Sequence, residues 1–210
     1  WVVENASGAA GYSLYPGSVA SNQNAGNDGI VLAHDYTGNI GTSNNYRSRT
    51  FTHEVGHWIN LRHTWGNSNN PGGAENCDED DLVEDTPLTR GWTSCTLDGE
   101  SCGSLDNVQN YMEYSYCGRM FSQGQIDRMR AALYSSIADR NDLWTAQNLE
   151  ETGVSSAPIL CQARFSSDRR TICAGDSVQF FDDSFHGVTD WSWAFSNGTM
   201  ATGESPWVTF

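Results

Sequence analysis

The segment His53-Glu54-Val55-Gly56-His57, with His63 six residues further on, constrains this chain more than any other part of its sequence. Histidines four residues apart fall on one face of an α-helix, close enough for both imidazoles to reach one ion. His63 can join them only if the helix stops near residue 60 and the chain turns back sharply. Such a reversal uses a residue with positive φ, most often Gly. Here the residue is Asn60, which after Gly tolerates that region best, at a cost of about 1 kcal/mol. Taken alone, the five residues also fit ordinary packing in a buried helix, and His63 fits a surface histidine behind a two-His site.

Three imidazoles are suitable ligands for zinc. Glu54 stands beside the first of them, where its carboxylate can take a proton from metal-bound water, whose pKa zinc lowers from about 16 to about 7. Phe51, Val55, Trp58, Ile59 and Leu61 are the apolar residues of this segment and predict a largely buried helix.

Before it, residues 1–50 read as strands separated by Gly- and Asn-rich loops, with Trp1-Val2-Val3 and Gly29–Ala33 as the apolar runs. After it, residues 64–110 are acidic and Cys-rich with little periodicity, which predicts a long irregular segment stapled by disulfides. A second helix is marked by a capping box, Ser122 with Gln125, followed by Ile126, Met129, Leu133 and Ile137 at helical spacing. Residues 151–160 read as a linker. Short alternating segments in 161–210, such as Ser177–Phe181 and Trp191–Phe195, then predict a small β-sandwich.

The formal net charge is −15 and all eleven basic residues are Arg, so nucleic acid and anionic membrane surfaces are poor partners. No stretch approaches the roughly 20 apolar residues that membrane insertion requires. Six cysteines, none in a Cys-x-x-Cys pair, speak for disulfides and an oxidising compartment rather than a cysteine zinc finger. Sequence alone leaves their pairing open. The chain opens on Trp1-Val2-Val3 as if inside a strand, so a processed or truncated product is expected.

About fifty residues past the histidines comes Asn110-Tyr111-Met112-Glu113-Tyr114. A His-Glu-x-x-His…His motif followed by such a Met-turn resembles the metzincin metallopeptidases. His53–Trp58, His63-Thr64-Trp65-Gly66, Asp85-Thr86-Pro87, Asn110-Tyr111-Met112 and Phe121-Ser122-x-Gly124-Gln125-x-x-x-Met129 are similar specifically to the pappalysin family, over roughly residues 1–153. The resemblance implies an α+β fold: a mixed sheet, an active-site helix, a Met-turn and a C-terminal helix. It also implies that the first strands of the sheet are missing from this chain.

By the same resemblance His53, His57 and His63 ligate zinc, and Glu54 is general base then acid. Met112 forms the floor beneath the histidines, and Tyr114 stabilises the oxyanion. The implied disulfides are Cys77–Cys102 and Cys95–Cys117, with Cys161–Cys173 left for the tail. Six carboxylates crowd the segment from Asp78 to Asp85. Calcium takes such oxygens readily, and Asp81, Val83 (through its carbonyl) and Thr86 are the ligands the resemblance suggests. Some relatives carry an Asp after the Met-turn that selects basic residues beyond the scissile bond. Glu113-Tyr114-Ser115-Tyr116-Cys117 has none, so an apolar or broad preference is expected. The tail resembles a PKD-type module with its final strands absent.

The resulting expectation is a secreted zinc endopeptidase acting on proteins or peptides: catalytic domain 1–150, linker 151–160, PKD-like module 161–210. The alternative is an inactive, peptidase-like binding or adhesion protein. An intact Glu54 speaks against it, because a scaffold has no use for that base.

Overall fold

The computed structural model describes residues 1–21, 24–154, 163–184 and 188–210. They divide into two compact units, Trp1–Thr145 and Ala146–Phe210.

The first unit opens on a three-stranded mixed sheet of β1 (Val2–Val3), β2 (Gly11–Ser13) and β3 (Ile30–Ala33), in the order β1-β3-β2. The aliphatic run of β3 takes the centre, with β1 parallel to it (Val2 opposite Leu32) and β2 antiparallel (Tyr12 opposite Val31). One turn of helix, α1 (Pro16–Val19), follows β2 and starts with Pro at a position where its missing N–H costs nothing. The long helix expected from the histidine spacing is α2 (Thr50–Trp58), which lies against β2 and β3.

Burial along α2 differs from the apolar expectation. His53, Glu54, Gly56 and His57 are buried, whereas Phe51 is 51% exposed. At about 100° per residue the four buried positions share one arc of the helix, and Phe51 falls opposite it. The helix also stops at Trp58, so Leu61, though buried, belongs to the turn beyond.

The irregular segment after α2 carries only a 3-10 turn at Ala74–Asp78 and a two-stranded hairpin, β4 (Glu100–Ser101) with β5 (Ser104–Leu105). It is stapled by Cys77–Cys102 and Cys95–Cys117, the two pairs the resemblance implied. Helix α3 (Gln123–Leu133) starts at the capping box: the Gln125 N–H donates to Ser122 Oγ (3.1 Å) and the Ser122 N–H to Gln125 Oε1 (3.0 Å).

Ile137, expected to extend the α3 stripe, is 51% exposed. The helix ends at Leu133, and residues 137–142 form a separate 3-10 turn in which Ala138 and Asp139 have positive φ. The buried residue of that turn is Arg140, 2% exposed. Its guanidinium donates to both carboxylate oxygens of Asp28 (2.7 Å each) and lies 3.9 Å from the Trp58 ring centroid. Trp58 Nε1 donates to Asp28 Oδ1 (2.7 Å), so the clamp ties the last residue of α2 to the segment entering β3. A buried guanidinium is tolerable because carboxylate and aromatic face together replace its water.

In the second unit a short helix, α4 (Ala146–Glu151), covers the last residues of the expected catalytic domain and ends where the linker was expected to begin. Strands β6 (Phe165–Ser167), β7 (Ser177–Asp182), β8 (Ser192–Ala194), β9 (Met200–Thr202) and β10 (Trp207–Thr209) follow. They form a β10-β7-β6 sheet and a β8-β9 hairpin, all antiparallel, and Phe180 of β7 meets the rings of Phe165, Trp193, Phe195 and Phe210. Of the expected Cys161–Cys173 pair, Cys161 lies outside the described residues; Cys173 is exposed and has no disulfide partner among them.

Candidate metal centre

The end of α2 is what brings the third histidine back. Asn60 adopts φ +80°, its N–H donating to the His57 carbonyl (2.9 Å), and the Leu61 N–H donates to the Gly56 carbonyl (2.8 Å). These two bonds make a Schellman reversal with Asn in the position usually held by Gly. The carbonyl of Asn60 also accepts from Arg128 Nε of α3 (2.7 Å), which holds the turn from behind.

The reversal gathers His53, His57 and His63, whose ligating nitrogens lie within 4.8 Å of one another. Each ring is oriented by a backbone carbonyl on its other nitrogen: His53 Nδ1 with Tyr111 O (2.7 Å), His57 Nδ1 with Leu61 O (2.7 Å), His63 Nδ1 with Ser68 O (2.9 Å). A carbonyl only accepts, so each Nδ1 carries the proton and each Nε2 presents a lone pair. Burial pulls all three pKa values down, His53 to about 3 and His63 to about 2, so the rings are neutral.

His57 Nε2 and His63 Nε2 face each other at 3.1 Å. Two lone pairs at that separation repel unless a cation lies between them. Tetrahedral zinc with bonds of about 2.0–2.1 Å would set such nitrogens roughly 3.3 Å apart. The donor set therefore fits a metal ion, with no proton left between the rings to supply a different explanation.

Glu54 is buried beside them. Its Oε2 lies 3.0 Å and its backbone carbonyl 2.8 Å from Ser13 Oγ at the end of β2, and burial raises its carboxyl to about 7. Met112 is fully buried, and a Cβ built on Gly56 would lie 2.4 Å from its sulfur. Its turn is closed by the Asn110 side chain, whose Oδ1 accepts from the Met112 N–H (2.9 Å) and whose Nδ2 donates to Gln125 Oε1 (2.8 Å). Gln125 thus serves the α3 cap and the Met112 turn with one oxygen.

A family description, Peptidase M43 or pregnancy-associated plasma protein-A, matches residues 2–134. The chain belongs to the pappalysin (M43) family. It is similar to an extracellular metalloprotease of Neurospora crassa, 35% identical over 136 residues, which are 61% of this chain and 45% of that protein. An extracellular metalloprotease of Arthroderma benhamiae is 37% identical over 130 residues, 59% of this chain and 42% of that one. The chain thus spans less than half the length of these relatives. Among solved structures, mature mirolysin of Tannerella forsythia in complex with a cleaved peptide is similar at 30% identity and a TM-score of 0.59, covering 70% of this chain and 56% of that one.

In this pappalysin chain the site lies in a cavity of about 720 Å³ whose lining includes β2, the start of α2, Glu54, all three histidines and residues 113–116. The Tyr114 ring stands edge-on to His63 (centroids 4.9 Å), and burial pushes its phenol up to about 12, so the hydroxyl keeps its proton. Trp65, fully buried, stacks flat on His63 at 4.4 Å. The Tyr15 ring meets His57 edge-on at 5.4 Å.

The suggested calcium ligands also come together. Among the six carboxylates of the acidic segment only Asp81 is buried. Its Oδ1 accepts from the Val83 N–H (3.0 Å), and Thr86 Oγ1 lies 2.8 Å from that oxygen and 2.7 Å from the Val83 carbonyl. Asp81 Oδ2 is buried without a hydrogen-bond partner among the described residues, and burial raises the carboxyl to about 7.

Ser13 and Tyr15 had no place in the sequence reading, and Trp65 entered it only as part of the family motif, with no role at the site. Trp65 follows His63 closely enough that stacking could have been anticipated. Nothing in the sequence announces Ser13 or Tyr15, which reach the site through the pairing of β2 with β3.

Proposed function

We propose that this chain carries the catalytic centre of a secreted, zinc-dependent endopeptidase that hydrolyses peptide bonds of proteins or peptides. The observation that carries the proposal is the trio of neutral imidazoles, each held by a carbonyl at Nδ1, with Glu54 on the wall of the same cavity. His53, His57 and His63 would hold the zinc, each with Nε2 free to face it. When bound, zinc supplies a Lewis acid that acidifies water and polarises the scissile carbonyl.

Glu54 takes the proton of the attacking water and returns it to the leaving amine; burial raises its carboxyl to about 7, so it can accept the proton in the first step and release it in the second. Ser13 orients that carboxylate. Tyr114, a neutral phenol against His63, donates to the developing oxyanion. The peptide lies along β2, which pairs on one side with β3 and lines the cavity, so its other edge can accept an added strand.

Secretion is supported by the extracellular relatives and by the two disulfides. Calcium at Asp81, Val83 O and Thr86 Oγ1 would neutralise the buried carboxylate and brace the irregular segment. The PKD-like reading of the second unit is supported by its antiparallel strands and aromatic core.

The test is digestion of a proteome-derived peptide library, with cut sites read by mass spectrometry, beside Glu54→Ala and chelated controls. Cleavage lost in both controls is the expected result. A folded, zinc-loaded protein that cleaves nothing would overturn the proposal in favour of a binding scaffold.

A further inference from the structure

One turn of helix before His53, the wall of the cavity is built from Tyr46, Arg47, Arg49, Thr50, Tyr111 and Tyr116. Two arginines therefore face a cleft in a protein whose net charge is −15. They are not equivalent. Arg47 Nη1 is bound to Asp35 Oδ2 at 2.6 Å, and its guanidinium lies over the Tyr36 ring. Arg49 has no carboxylate within ion-pair distance among the described residues. Its Nη1 donates to the Tyr111 hydroxyl (3.1 Å), and the carbonyl of the same tyrosine accepts from His53 Nδ1.

The cavity's own carboxylates do not answer Arg49. Glu113 accepts from Thr64 Oγ1 at one oxygen (2.5 Å) and from the Trp92 N–H at the other (2.7 Å), and Glu54 is engaged with Ser13. A guanidinium has five N–H donors in a planar fork, and Tyr111 uses one. What remains matches a carboxylate, and Tyr111 fixes its distance from the metal ligand His53.

We propose that Arg49 forms a subsite for a carboxylate on the substrate, so that an acidic side chain, or the substrate's own C-terminal carboxylate, is favoured next to the scissile bond. This rests on the peptidase reading above and departs from the apolar or broad preference expected from residues 113–117. Charge-assisted hydrogen bonds from a partly exposed arginine set the scale at about a tenfold preference for Glu over Gln.

Matched peptides amidated at the C-terminus, with Glu, Gln, Leu or Arg at either position flanking the bond, test the side-chain source. Peptides ending just after that bond's following residue, as acid or amide, test the chain terminus. The expected result is a Glu:Gln ratio in kcat/KM of about ten at one flanking position, or an acid:amide ratio of about ten. The ratio falls to within about twofold in Arg49→Gln and is partly kept in Arg49→Lys, which guards against a folding defect. Calorimetric binding of the same peptides to zinc-loaded Glu54→Ala reads the subsite without turnover. Equal treatment of Glu and Gln and of acid and amide, or a ratio that survives Arg49→Gln, overturns the inference. Acidic peptides that bind through Arg49 while no peptide or denatured protein is cleaved would leave the subsite standing and remove the peptidase reading.

Discussion

A Cβ added to Gly56 would meet the sulfur of Met112 at 2.4 Å, so the helix that carries His53 and His57 rests directly on the turn below it. Ala is the better helix former by about 1 kcal/mol, yet Gly56→Ala is predicted to destabilise the protein by roughly 1–3 kcal/mol, because overpacking a filled site outweighs propensity. Urea unfolding and zinc affinity measured together check this. An Ala variant more stable than the parent would mean that Met112 can move aside freely.

Asn60 at φ +80° makes the opposite prediction. Asn60→Gly should be neutral or stabilising by up to about 1 kcal/mol, whereas Asn60→Val should cost about 1–2 kcal/mol, since a branched Cβ is strained in that region. Zinc affinity should follow the same order, because the reversal at residue 60 delivers His63. Melting temperatures and a competitive zinc titration decide it, and a Val variant with unchanged affinity would separate the turn from the third ligand.

Glu54→Gln removes the proposed base but keeps the side-chain volume. Turnover of any cleaved peptide should fall by at least about 100-fold while zinc stays bound, the scale of general acid–base catalysis. Single-turnover rates and metal content per chain are the readouts. Loss of the metal in this variant would show that Glu54 contributes to holding it.

Acid sensitivity follows from Asp28 and Asp85. Hydrogen bonds from Arg140, then Trp58, hold the Asp28 carboxyl below its usual range, and the Ser122 hydroxyl with the Gly124 N–H does the same for Asp85. A depressed pKa contributes stability that is present above the unfolded value, about 4, and lost as pH falls through the folded value. Urea midpoints should therefore drop below about pH 4, and Asp28→Asn should flatten that slope while lowering stability at neutral pH. An unchanged acid slope in the variant would assign the loss to other carboxylates.

Part of this protein could be read from spacing. His53, His57 and the reversal at Asn60 are separated by less than two helical turns, and over that range helix geometry leaves little choice of position. The Ser122–Gln125 cap is local in the same sense, and α3 starts where the sequence indicated. Family resemblance, not spacing, supplied the pairing of Cys77 with Cys102 and Cys95 with Cys117.

Tertiary structure decided what meets the site from a distance. Ser13 touches Glu54, Tyr15 meets His57, Tyr111 joins Arg49 to His53, and Arg140 clamps Asp28 against Trp58. Each contact depends on the path of a segment that shows no periodicity, or on which edge of a short sheet lies nearest the helix. Apolar periodicity also misjudged Phe51 and Ile137, because α2 turns its polar, histidine-bearing arc inward and α3 ends before Ile137. Sequence by itself therefore determined the donor set and the turn that assembles it, since both are local. The cleft around that set, and the charge it presents to a substrate, arise only where distant segments pack.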